Sequence, residues 1–147
     1  MAEERATIVA LASGAGRAGV AVLRLSGPEA WASIAALLKG DLPQPRQAGL
    51  RVLYHPSDGT VLDEALLLLF EDGRSFTGER VAEIHCHGSP LIVQDLLDCL
   101  EAQPGVRPAK AGEFSRRALT NGKLSLLEVE ALGALLEAQT PWHKDLG

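Results

Sequence analysis

Two ionisable residues sit in the middle of segments that are otherwise apolar: Arg24 in "VAVLRLSG" and Glu83 in "VAEIHCHG". Breaking a buried charge pair costs about 3–5 kcal/mol, so each of these residues needs a partner. Two arrangements would supply one. The first is a salt bridge across adjacent strands that serves the fold alone. The second is a polar pair in a pocket, where a strand carboxylate takes two hydrogen bonds from an amino-pyrimidine edge, each charge-assisted bond contributing about 1.5–3 kcal/mol.

Other candidates carry less chemistry. His85 and His87 are two apart on one strand face and could present two imidazoles to a metal, but no third ligand is fixed by spacing. His55 lies near a turn and His143 in the tail. Cys86 points to the opposite face from both neighbouring histidines, which argues against a Cys-His nucleophile. No G-x-S-x-G elbow occurs, and no P-loop (G-x-x-x-x-G-K before Ser or Thr), so this chain alone is not expected to hydrolyse a nucleoside triphosphate. Gly14, Gly16 and Gly19 spell G-x-G-x-x-G, yet a phosphate cradle needs a helix after the glycines. These glycines lead instead into "VAVLRLSG", a second strand, and read as a hairpin-like connection. Between Arg107 and Lys123 lie Arg107, Lys110, Arg116, Arg117 and Lys123 against Glu113 alone, either a place for an anionic tail or phosphate or a solvated helix face.

The elements that must position these residues are legible as a succession. "TIVALA" and "VAVLRLSG" are strands, and "SGPEAWASIAALLKG" predicts a helix with Trp31, Ile34, Ala35 and Leu38 on one face and Gly40 at its end. "GLRVLYH" and "VLDEALLLLF" are strands joined by a turn at Asp58-Gly59, and the second is apolar enough to be covered on both faces over Leu66 to Phe70. The loop "EDGRSFTGER" delivers the chain to "VAEIHCHG". Its alternation sets Val81, Glu83, His85 and His87 on one face and Ala82, Ile84 and Cys86 on the other. Next comes a helix capped by Ser89, with Val93, Leu96, Leu97 and Leu100 at helical spacing. "GEFSRRALTNGK" is a brief helix stopped at Asn121-Gly122. Ser125 and Glu128 form a capping box for a last helix running to Gln139, whose wide apolar stripe implies docking on another domain or chain. Mixed strands and helices with a hairpin give an α+β class: a mixed β-sheet with flanking helices.

At 147 residues and 46% hydrophobic content the chain is about one domain long. Its net charge of -5 argues against a dedicated nucleic-acid binder. The start, "MAEERATIV", is acidic and without a long apolar run, so neither a secretory signal nor a membrane anchor is expected and a cytoplasmic location is. Cys86 and Cys99 read as two ordinary buried thiols.

The segments "TIVALAS", "GRAGVAVLRLSG", "FTGERVAEIHCHGS" and "GEFSRRALTNGKLSLLEVEAL" occur in an order that resembles the N-terminal part of the tRNA modification GTPase family MnmE/TrmE, from about Thr7 to Gln139. The resemblance implies a T-protein-like folate-binding and dimerisation domain over residues 1–120, with the truncated start of a helical domain over residues 121–147. It implies 5-formyl-tetrahydrofolate or a related reduced folate as ligand, with Arg24, Glu83 and Lys123 as folate-binding residues. It further implies a homodimer and, through the full-length family protein, the flavoprotein MnmG and tRNA as partners in wobble-uridine modification. GTP, potassium and magnesium would belong only to that full-length protein. The sequence departs from the family pattern at "TPWHKDLG" and at Ser125, where the family often has Asp.

Overall fold

The computed structural model describes residues 6–12 and 19–123. Gly14, Gly16, the capping box at Ser125 and Glu128, the helix after it, and almost all of the 121–147 segment lie outside the described residues. The elements run β1 (Thr7–Leu11), β2 (Val20–Ser26), α1 (Ala30–Ala35), β3 (Gly49–Tyr54), β4 (Val61–Phe70), β5 (Val81–His87), α2 (Pro90–Glu101), β6 (Val106–Pro108) and α3 (Glu113–Thr120). The strands form one six-stranded sheet in the order β3-β4-β5-β2-β1-β6. Neighbours are antiparallel except β6, which runs parallel to β1, so the sheet is mixed and the class is α+β.

Local chemistry accounts for the joints. The β3–β4 hairpin turns at Gly59, φ 74°, and the Asp58 carboxylate accepts from the Thr60 amide at 2.9 Å and the Thr60 hydroxyl at 2.7 Å. Those bonds, led by the backbone one, hold its carboxyl below the usual range. The β2–α1 turn uses Gly27 at φ 137°, where a Cβ would lie 2.7 Å from the Thr7 backbone. Only glycine lets the turn sit that close to β1. Ser89 caps α2 by accepting from the Ile92 amide, as the sequence predicts.

Side-chain alternation splits the sheet into unlike faces. Register pairs Leu23 with Ile84 and Leu25 with Ala82, and sets Leu67 and Leu69 beside them. These residues are buried together with Ile34 of α1 and Leu96 and Leu100 of α2. The other face starts from the row Ala10, Arg24, Glu83 and Leu68, which are direct cross-strand neighbours. It is left partly open.

Two expectations need correction. The β4 leucines are not covered on both faces: Leu67 and Leu69 are buried, but Leu66 is 44% exposed and Leu68 and Phe70 are half-buried. Helices α1 and α2 pack on one side, so the opposite positions of β4 keep their apolar character without a lid. The α1 stripe also ends differently. Leu37 is buried where Ala35 is exposed, because the chain tightens after Ala35 into i-to-i+3 bonds, Leu37 N–H to Ile34 and Leu38 N–H to Ala35. Three residues per turn places Leu37 over Ile34.

Candidate ligand-binding cleft

Arg24 of β2 and Glu83 of β5 lie directly opposite each other in the ladder. Glu83 Oε2 accepts from Arg24 Nε at 2.9 Å and lies 2.8 Å from Arg24 Nη2, while Oε1 lies 3.0 Å from His85 Nε2. The sequence expectation of a charge sunk in apolar strands is thus tempered by strand alternation. Leu23 and Leu25 face the core, and Arg24 between them faces the open side, its side chain 31% exposed against 14% for Glu83.

The pair forms one wall of a cleft of about 580 Å³, within the size range of small-molecule sites. Ala10, Leu11 and Ala12 of the β1 strand and its exit also line it, as do the cross-strand partners Phe70 and Val81. Arg74, Ser75 and Phe76 come from the β4–β5 loop, and Phe114 and Ser115 from α3. The chain has three phenylalanines, and all of them line this cleft. Aromatic faces around one half-buried carboxylate suit a flat heterocycle with a row of donors on one edge.

Sequence reasoning missed the phenylalanines. Their scarcity, in a chain only 4% aromatic, is the signal that could have drawn attention to them.

Lys123 is placed apart from the pair. Its ammonium donates to the Gly73 carbonyl on the β4–β5 loop, and among the described residues it is not on the cleft wall. His85 and His87 do not converge on a metal: His85 bonds Glu83, and His87 Nδ1 lies 2.7 Å from Asp63 Oδ1. No group of three or more metal-type ligands occurs among the described residues. Cys86 and Cys99 are free and buried, and burial pushes both thiols up, so they are poor nucleophiles.

The basic segment after Arg107 is neither a uniform anion site nor a solvated face. Arg107 grips Glu113 with both terminal nitrogens, at 2.8 and 2.6 Å, and Arg117 reaches Glu113 at 3.2 Å and Glu79 at 3.1 Å. The Arg107 hydrogen bonds above all, helped by the Lys110 amide, bring the Glu113 carboxyl down to about 2 against the opposing effect of burial. Arg116 points outward, 63% exposed.

The chain has relatives among known proteins over nearly all of its length. The family model described as "GTP-binding protein TrmE N-terminus" matches residues 7–123. A tRNA modification GTPase MnmE of Cereibacter sphaeroides is 58% identical over 134 residues, 91% of this chain and 31% of that protein. The human mitochondrial 5-taurinomethyluridine-(tRNA) synthase subunit GTPB3 is 52% identical over 136 residues, 92% of this chain and 28% of that protein. The chain therefore spans about a third of the length of the curated relatives it matches.

Proposed function

The chain belongs to the family of TrmE N-termini, and from that premise we propose that it is a folate-binding and dimerising module supporting wobble-uridine modification of tRNA. The observation that carries this reading is the convergence of all three phenylalanines on a cleft whose polar wall is Glu83 with Arg24. A reduced pterin is a flat ring with an amino-pyrimidine edge, and a carboxylate with spare lone pairs takes that edge through two hydrogen bonds. Oε2 holds Arg24 and Oε1 holds His85, so two-point binding requires Arg24 to release Oε2. The freed guanidinium then meets the ligand's carbonyl or its anionic glutamate tail. Lys123 meets the tail from the loop side, giving up the Gly73 carbonyl.

Dimerisation is supported by the open sheet face. Leu50 and Leu66 are cross-strand partners in β3 and β4, 55% and 44% exposed. Val20 of β2 is 55% exposed. A second copy covering these residues would remove apolar surface from water at about 25 cal/mol per Å². The relatives' names tie them to tRNA modification. MnmG and tRNA would be engaged through a longer family protein, and GTP, potassium and magnesium by parts of it other than residues 6–123.

Calorimetric titration with 5-formyl-tetrahydrofolate tests the ligand. Heat that disappears in Glu83→Ala, with the melting transition retained, is the expected result, and silence in the unaltered chain at high ligand concentration defeats the reading. One observation favours a second reading, a dimerisation module without a ligand: Arg24 and Glu83 already satisfy each other. A silent titration with a stable dimer by ultracentrifugation would select it.

A further inference from the structure

The loop from Glu71 to Arg80 supplies Arg74, Ser75 and Phe76 to the cleft. Its anchors come from α3 with the residues just after it and from Ser26 at the end of β2. Glu79 accepts from Arg117 Nη1 at 3.1 and 3.3 Å and from the Ser26 hydroxyl at 2.7 Å. The Thr77 hydroxyl meets the Ser26 hydroxyl at 2.6 Å, and its carbonyl accepts from Asn121 Nδ2 at 2.8 Å. Lys123 holds the Gly73 carbonyl. Arg117 is fixed in turn by Glu113, itself clamped by Arg107 to β6.

The contact is also close in the steric sense. Gly78 stands at φ 83°, and a Cβ there would come within 2.9 Å of Asn121 Cβ and 3.3 Å of Lys123 Cγ. The loop backbone thus packs directly on residues 121–123, with glycine required by both space and dihedral.

We propose that Arg117 and Asn121 are positioning residues of the cleft: they fasten the 71–80 strap to the C-terminal end of α3, so the cleft wall is set by where that end stands. Arg117 does this with a planar fork that bridges Glu113 and Glu79, which a lysine ammonium cannot do with the same geometry. Any displacement of Arg117 or Asn121 is then transmitted through these bonds to the strap that carries Phe76 and Arg74. The inference rests on the folate reading only for what fills the cleft.

The test combines two measurements on the 147-residue chain and its variants Asn121→Ala, Arg117→Lys and Arg117→Met. Hydrogen exchange reads the strap without ligand, through the amides of Gly73, Arg74 and Gly78, which bond within the loop. Titration with 5-formyl-tetrahydrofolate reads the cleft. Asn121→Ala is expected to speed strap exchange and weaken binding by about tenfold each, with β2 and β5 amides unchanged. Arg117→Met should do more, and Arg117→Lys should recover part of it. Strap exchange that stays unchanged in Asn121→Ala and Arg117→Met overturns the inference, as does a strap that loosens selectively while affinity holds. If the unaltered chain takes no folate, the ligand reading fails, and selective strap exchange alone decides the positioning claim.

Discussion

Glu113 and Glu83 are both gripped by guanidinium groups, yet the chain surrounds them in opposite ways. Glu113 is 1% exposed and receives a donor for each lone pair: Arg107 and the Lys110 amide on Oε1, Arg107 and Arg117 on Oε2. Glu83 has Arg24 and His85, both about a third exposed, and it faces a cleft. A carboxylate that is itself buried and has a donor on every lone pair is a structural joint. One whose donors can turn to water can exchange them for a ligand. The charge pair itself does not distinguish the two; donor count and burial do.

The sharpest way to break this contrast is to neutralise each acid. Glu113→Gln removes the carboxylate that Arg107 and Arg117 share, with Glu79 still on Arg117, and the expected loss of stability in urea titration is about 3–5 kcal/mol. Glu83→Gln is expected to cost about 1 kcal/mol or less, since Arg24 and His85 keep access to water. Equal losses would erase the distinction between joint and binding site.

The pair at Glu83 was readable from the sequence and the joint at Glu113 was not. Arg24 and Glu83 stand out because each interrupts an apolar strand, and strand period alone places Glu83 on the face away from Ile84. Helix spacing could have joined Glu113 to Arg117, but Glu79 comes from a loop 38 positions from Arg117, and loops carry no period to announce a partner. Counting charges between Arg107 and Lys123 gave a basic excess because counting ignores direction: Arg107 and Arg117 turn inward while Arg116 turns out. The four consecutive leucines of β4, Leu66 to Leu69, misled for a related reason. Hydrophobicity records what a face would gain from cover, not whether a helix arrives to provide it, and none covers Leu66 among the described residues.

Acid should separate the two sites next. The folded-state pKa of Glu113 is depressed from 4.5 to about 2, so its contribution is complete above about 4.5 and is lost as the pH falls toward 2. That contribution is roughly 3 kcal/mol. The stability gap between the unaltered chain and Glu113→Gln should therefore close across this window, measured by urea titration at stepped pH. A gap that stays constant down to pH 2 would mean that Glu113 is held by shape rather than by charge.

The smallest expected effect is the most informative about the cleft. A double-mutant cycle with Arg24→Met and Glu83→Gln, read by urea titration without ligand, isolates the coupling between the two side chains. Direct cross-strand placement and a 2.8 Å contact favour a strong pair. Against that, Arg24 is 31% exposed, and the guanidinium loses little when it returns to solvent. Solvent access is expected to prevail, leaving a coupling of about 0.5–1 kcal/mol. A value near 3 kcal/mol would make Arg24 a lock on Glu83 as firm as Arg107 is on Glu113. Ligand entry by exchange at Oε2 would then be too costly, and the dimerisation module without a ligand would become the better account of the chain.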